Sequence, residues 1–335
     1  MTKYKYSLVS CARWEENNIL EWLDYHKAIG FEHVYLWSND DEPETLRRAV
    51  EPHLAGPKPF VTYNFWPNKS GQFQTFEKFL ENYVHETEWF SFLDVDEFLV
   101  LRDLNDIGAF MASLDPAFDC VYFNWANFGA NGRVAREPGS LLTGLTRRER
   151  SLDFHTKNLV RSSKVSLPLL REGLHRGELA YNHFWDGYRF LDFRICDVLG
   201  DQIEGYSQDF PIKAHAYTHR PGYQDRVLRT AYCAHYRFQS EEDFLRRFNR
   251  GGHPNQKVWG DRHMSDEHWA ILKSHEEVLD TYLADFWAPR HILLEAVRRV
   301  RLKLATPDGP GTREGSGEAG EDNGETRVTS YAEVA

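Results

Sequence analysis

Trp89-Phe90-Ser91-Phe92-Leu93-Asp94-Val95-Asp96-Glu97 is a nearly continuous apolar run that ends in three carboxylates. A strand covered on both faces needs such a run, because neither side meets water. The chain before it repeats the theme. Tyr4 to Cys11, Val34 to Trp37 and Phe60 to Phe65 also read as strands. Between them lie helical patterns. One opens at Asn17 and Asn18, carries Ile19, Trp22, Leu23 and His26 at helical spacing, and stops at Gly30. The second is predicted over Glu42 to His53, with Pro43 in its permitted first turn, and the third over Gln72 to His85. The order is β-α-β-α-β-α-β, which predicts an α/β, doubly wound, mostly parallel sheet. Ligands of such sheets sit beyond the carboxyl ends of the strands. Ser10 to Glu15, Ser38 to Asp41 and Asp94 to Glu97 are the polar segments placed there.

Composition narrows the class. The 335 residues are 41% hydrophobic and 27% charged, enough for a sizeable core and unlike collagen, a coiled coil or a disordered chain. No apolar run approaches the ~18 residues of a membrane span, and Met1-Thr2-Lys3-Tyr4 leads straight into a strand, so no leader is expected. Cys11, Cys120, Cys196 and Cys233 are scattered without a C-x-x-C, which predicts neither a zinc ribbon nor a disulfide framework, and fits a cytoplasmic setting. A net charge of −11 disfavours a nucleic-acid partner. Residues 306–335 hold seven acids and two arginines among Gly, Glu and Ser, and are expected to be disordered. Ten tryptophans are a large share for one chain; most are expected in the core and some as platforms for a sugar face.

Beyond Glu97 the pattern loosens. Cys120 to Trp125 reads as a strand, whereas residues 126–233 are irregular and rich in Arg, His and aromatics. Helices are expected over Ser240 to Phe248, over Ser265 to Trp287 with Pro289 as its stop, and over Arg290 to Ala305.

Asp94 and Asp96 stand two apart, so in an extended chain they point to one side. Clustered carboxylates repel, and a hard divalent cation relieves them, which favours Mg²⁺ or Mn²⁺ over zinc. Such an ion can bridge to a pyrophosphate. A lone D-x-D is weak; its place at the end of a buried strand gives it weight. No G-x-G-x-x-G follows the first strand and no G-x-x-x-x-G-K-[ST] occurs, so the usual dinucleotide and P-loop readings fail.

Several further segments join it in one pattern. They are Glu15, Glu21-Trp22-Leu23, Tyr25-His26, Gly30 and Tyr35-Leu36-Trp37-Ser38-Asn39, then Gln72 and Phe92 to Leu99. Asn127-Phe128-Gly129, Lys157 to Arg161, and His235-Tyr236 with Ser240 and Phe244 complete it. Together, over about residues 7 to 252, they resemble the family-2-like and family-92-like glycosyltransferases. The resemblance implies a GT-A fold: a nucleotide-binding half (1–97) merged with an acceptor-binding half (98–252), followed by a helical extension (253–305) and the acidic tail (306–335). It implies an inverting transfer of sugar from a nucleotide sugar, a UDP-sugar being favoured, to a glycan or lipid-linked acceptor, as in polysaccharide biosynthesis. It places Ser10, Glu15, Asn39, Gln72 and Asp94 toward the nucleotide, and Asp94, Asp96 and His235 on a Mn²⁺ or Mg²⁺ ion. Two positions depart from the pattern: Trp14 stands for an Asn, and Ser38 for an Asp that commonly reads the base or ribose. Asp40 or Asp41 is the substitute at hand.

Each residue also has a plainer reading. Glu15 suits the first turn of a helix, Asn39 a turn, His235 a packed strand, Ser10 an ordinary strand end, and Gln72 a helix start. Inverting transfer needs a general base. Asp153, Asp186 and Asp192 are available, and Asp186, set among His183, Phe184, Trp185 and Tyr188, is favoured. A metal-dependent nucleotide-sugar hydrolase or phosphodiesterase, and a non-catalytic glycan-binding module, are the rival readings. Arg290 to Ala305 sets five basic residues beside an apolar stripe of Ile292, Leu293, Ala296, Val297, Val300 and Leu304, which predicts peripheral contact with an anionic membrane surface.

Overall fold

The computed structural model describes residues 2–69, 71–175, 183–186, 192–249, 270 and 274–305. The tail after residue 305, most of 250–273, and residues 176–182 and 187–191 lie outside the described residues. The chain divides into a unit of residues 1–291 and a second of 292–335.

The strands are β1 (Tyr4–Ala12), β2 (His33–Ser38), β3 (Val61–Phe65), β4 (Thr87–Phe92), β5 (Glu97–Leu101), β6 (Cys120–Asn127), β7 (Arg147–Arg148), β8 (Thr156–Arg161), β9 (Ile195–Asp197), β10 (Gln202–Ile203), β11 (Ala231–His235) and β12 (Val278–Leu279). β3, β2, β1 and β4 lie side by side and parallel, as the alternating pattern predicts. β8 then enters antiparallel between β4 and β6, and β9 continues parallel to β6. The α/β expectation of a mostly parallel sheet is met: a parallel first half is joined to a mixed second half.

β6 carries a third ladder besides those with β8 and β9. Residues 120–124 pair with β8, and residues 125–127 pair with β11. β11 also pairs antiparallel with β5, setting His235 opposite Glu97. The segment that follows the D-x-D is therefore stitched to the end of β6 by a strand far along the chain.

Helices cover the sheet. Ile19–Ala28 buries Ile19, Trp22, Leu23, Tyr25 and His26. Trp22 Nε1 donates to Glu97 O at 2.8 Å and Tyr25 Oη to Leu99 O at 2.9 Å, which fixes this helix over β5. Helix Gln72–Asn82 buries Thr75, Phe76, Phe79 and Leu80, and Phe76 stacks on Phe92 at 4.2 Å. It ends before His85, and a 3-10 turn, Val84–Glu86, leads into β4. Glycine is required at its entry, because a Cβ on Gly71 would collide with the Trp66 ring.

Three helix expectations need correction. The helix predicted over Glu42 to His53 is two, Pro43–Ala49 and Glu51–Leu54. Pro52 has no N–H for the carbonyl four residues back, so the first helix closes and a new one starts with proline in its first turn. The break predicted at Pro289 does not occur, and one helix runs Tyr282–Ala305 through it. Arg290 Nη1 donates to Phe286 O at 2.7 Å in the turn that proline disturbs. The part of the predicted 265–287 helix that is described is instead partly extended. Asp280 takes Arg102 at 2.8 Å and Arg148 at 2.9 Å, and this holds β12 against β7 before the helix begins.

Candidate functional site

The carboxyl ends of β1, β4 and β11 open on one cleft. Trp14, Glu15 and Asn18 follow β1; Asp96 follows β4; Arg237 follows β11; Arg247 lies on the helix Glu241–Asn249. Arg136, Gln239, Asp243 and Arg246 complete the lining. Guanidinium groups thus crowd around one acidic motif.

Asp96 is 4% exposed. Its Oδ2 lies 2.8 Å from Arg247 Nη1 and 3.7 Å from His235 Nε2. Arg247 Nη1 also donates to Arg237 O at 3.0 Å, which orients it. Burial pushes the His235 pKa down, and Arg247 and Arg237 add to that against the pull of Asp96. A neutral imidazole is the form that ligates a metal. Asp94 points elsewhere. Its Oδ1 accepts from Gln72 Nε2 at 2.5 Å and its Oδ2 from Lys157 Nζ at 3.0 Å. Lys157, wholly buried on β8, also reaches Glu97 Oε2 at 2.9 Å. Burial alone would raise the Asp94 pKa, but Lys157 holds it below its ordinary value. Burial pushes Glu97 up to about 8, reinforced by Asp94 and Asp96 and opposed by Lys157. One ammonium keeps one carboxylate ionised and leaves the other prone to hold a proton.

A cation would find part of a shell here. Two ligands on one ion at ~2.1 Å stand roughly 3.0–3.5 Å apart, and Asp96 Oδ2 and His235 Nε2 are near that span. Among the described residues no three His, Cys, Asp or Glu side chains are gathered for a metal. Asp94, engaged by Lys157 and Gln72, is the carboxylate that would have to turn.

The remaining expected residues are dispersed. Glu15 lines the cleft and accepts from Asn18 Nδ2 at 3.0 Å. Ser10 is fully buried in β1. Asn39 donates to Lys69 O at 3.0 Å and its carbonyl accepts from Arg13 at 2.7 Å, which closes a turn. Of the two acids beside it, Asp40 accepts from Trp14 N at 2.6 Å, and Asp41 pairs with Arg13 at 2.6 Å. Trp14 itself has φ +57, a left-handed backbone that Asn tolerates and a bulky residue rarely adopts. Asp186 accepts from Tyr122 Oη at 2.7 Å and from Ser207 N at 2.6 Å, so both of its oxygens are tied into the fold.

Three residues went unassigned in the sequence reading. Lys157, Arg237 and Arg247 supply the charge opposite the acids. A lysine within the buried strand Thr156–Arg161 is the one signal that marks Lys157 in advance, since a lysine is almost never fully buried unless paired.

Residues 9–167 match the sequence model of glycosyltransferase family 92. A family 92 glycosyltransferase protein of Oryza sativa subsp. japonica is 25% identical over 203 residues, which is 55% of this chain and 32% of that protein. The chain therefore spans about a third of the length of that relative. Among solved structures, TarS 1–349 of S. aureus is 19% identical and aligns over 50% of this chain and 48% of its own, at a TM-score of 0.34. The glycosyltransferase GlyE of Streptococcus pneumoniae TIGR4 is 14% identical over 87% of this chain and 64% of its own, at 0.35. A mannosyltransferase of Pyrobaculum calidifontis, in complex with GDP-Man and Mn²⁺, is 13% identical over 87% of this chain and 88% of its own, at 0.35.

Proposed function

From a chain that is family-92-like over residues 9–167, we propose an inverting glycosyltransferase that takes its sugar from a nucleoside diphosphate donor, a UDP-sugar first, and passes it to a glycan or lipid-linked acceptor. The observation that carries this reading is the buried Asp96, set between His235 and Arg247 where the carboxyl ends of the strands converge. Asp96 and His235, with Asp94 turned toward them, would hold Mn²⁺ or Mg²⁺, completed by diphosphate oxygens and water. When bound, the ion supplies positive charge that stabilises the departing diphosphate.

The chain's own residues divide the rest. Arg237 and Arg247 line the cleft as donors for phosphate oxygens, where a guanidinium binds two at once. Glu15 and Trp14 stand at the β1 side, where the nucleoside would lie, with Asn39 and the buried Ser10 shaping the turn and strand behind it. Gln72 and Lys157 position Asp94.

Contact with an anionic membrane through residues 290–305 belongs to the same proposal. Ile292, Leu293, Val297 and Val300 are exposed on that helix, and no described helix is long and apolar enough to cross a membrane. Co-sedimentation with anionic vesicles at low and high salt reads this out, and a chain ending at Pro289 should stay in the supernatant.

Calorimetry with UDP and GDP, with and without Mn²⁺, tests the central claim. Binding should strengthen with the ion and weaken after chelation. Asp96→Asn should lose most of the metal-dependent part. Unchanged affinity in that variant would move the ion away from the motif.

A further inference from the structure

A second cluster of ionisable groups lies one ring away from His235. Trp125, near the end of strand β6, packs its indole against His235 at 4.3 Å and stacks on His155 at 5.2 Å. His183 meets the edge of the same indole at 5.1 Å. The segment 153–155 is locked to this strand by backbone bonds, Asp153 N to Trp125 O at 2.9 Å and Trp125 N to His155 O at 3.0 Å. Within it, Asp153 Oδ1 faces His155 Nδ1 at 2.8 Å. Its Oδ2 accepts from Asn127 Nδ2 at 3.2 Å, so the carboxylate is gripped on both oxygens.

We infer that His155, oriented by Asp153, is the base that takes the proton of the acceptor hydroxyl. This inference rests on the glycosyltransferase reading and adds the residue that reading lacked. With Nδ1 committed to Asp153, the imidazole carries its hydrogen there and turns the lone pair of Nε2 outward. Nε2 has no hydrogen-bond partner among the described residues. The side chain is 33% exposed, so a ligand can reach it. Phe210 meets the ring at 5.3 Å and Trp125 stacks on it, an aromatic wall of the kind a sugar face packs against.

Charge favours the same assignment. Burial would raise the Asp153 pKa, but the hydrogen bonds and charge of His155 hold it down, to about 2. Asp153 thus stays anionic through the neutral range and stabilises the imidazolium once it forms. Asp186, the carboxylate that sequence favours, has both oxygens bonded to Tyr122 and Ser207.

The step balances. The acceptor oxygen forms a bond to the anomeric carbon while its proton passes to His155 Nε2. The bond from that carbon to the phosphate oxygen breaks, and the nucleoside diphosphate leaves with the electron pair. His155 is then an imidazolium beside the Asp153 carboxylate and returns its proton to solvent.

The test uses the full chain with UDP-glucose, UDP-N-acetylglucosamine and GDP-mannose as donors, nitrophenyl glycosides as surrogate acceptors, and nucleotide release as readout. His155→Gln should lower kcat by roughly 10²- to 10⁴-fold and leave nucleotide affinity within a few-fold. Asp153→Asn should lower kcat at least ~10-fold with the acceptor KM little changed. In His155→Ala, added imidazole should restore part of the rate. Wild-type turnover in His155→Gln overturns the assignment. So does a His155→Gln protein that loses nucleotide binding together with transfer, because that outcome makes the residue structural. Wild-type protein that releases nucleotide from none of the donors sinks the glycosyltransferase reading itself, a result distinct from either.

Discussion

The first half of the sheet supplies the acids of the site and the second half supplies the cations. Glu15 follows β1, Asp94 and Asp96 follow β4, and Glu97 opens β5. Lys157, Arg237 and Arg247 come from β8 and the segments after β11, and β11 itself ends in His235. The halves also differ in how they are held. β1 to β4 are parallel neighbours linked by helices, and every pairing among them lies within the first 92 residues. β6 pairs antiparallel with β8 and parallel with β9, and its last residues, Trp125 to Asn127, wait for β11 at Cys233 to His235. A motif of one sign can be local; its neutralisation is tertiary.

The sharpest way to break this contrast is to remove the buried cation. Lys157→Met leaves Asp94 and Glu97 facing each other without an ammonium. A buried pair stripped of one partner costs about 3–5 kcal/mol, so the urea midpoint should fall steeply. Adding Glu97→Gln should recover part of the loss, because it removes the carboxyl that already tends to hold a proton. A neutral Lys157→Met would mean that the two halves do not balance each other's charge.

Acid should strike both halves alike. Burial holds the His26 pKa down at about 3 and the His33 pKa at about 4 in the first half. Burial likewise holds His183 at about 3 and His275 at about 4 beyond it. Each folded-state pKa lies below the unfolded value near 6.5, so the unfolded chain binds the extra proton first. Stability is full above about pH 6.5 and drops as pH falls toward 4, by ~1.4 kcal/mol per unit for each such histidine. Urea titrations at pH 7, 6 and 5 read the slope. A flat profile would place these rings in water.

A smaller effect is expected at the cleft arginines, if they take the diphosphate as proposed. Arg247→Ala should weaken UDP binding ~10- to 100-fold, the worth of a charge-assisted bond. Arg247→Lys should recover little, since a point charge replaces a planar fork. Wild-type affinity in Arg247→Ala would confine that guanidinium to pairing with Asp96.

The smallest concerns the first half alone. Trp14→Asn relieves a left-handed backbone that a bulky residue resists, and should leave stability equal or higher by up to about 1 kcal/mol. A loss instead would show that the indole, packed 5.1 Å from the Arg13 guanidinium, holds the turn through its face.

These differences explain what could be read in the chain and what could not. β1 to β4 and Asp94–Asp96 stand out because apolar runs and their polar ends are local signals. The two helices around Val50 and the continuous helix through Pro289 turn on single backbone bonds, which pattern does not resolve. His235 is legible by resemblance only. Its closeness to Asp96 depends on the β5–β11 ladder, and no periodicity announces that pairing. Arg237 and Arg247 look like ordinary surface bases in a polar helix and its approach. His155 sits in a segment with no regular pattern, and its partner Asp153, two residues away, reads from sequence only as a candidate base in its own right until the strand beside it is known.

The third ladder of β6 has a consequence for the order of events during synthesis. Asp96 emerges from the ribosome about 140 residues before His235 and Arg247, a delay on the order of ten seconds. Once β8 has followed, Trp125 has that strand but not β11 to fix its register, and a slip of one residue would turn the indole to the opposite face. The nascent protein is therefore a finished half-sheet whose acidic loop meets Lys157 first, and only the late strand brings His235 to Asp96.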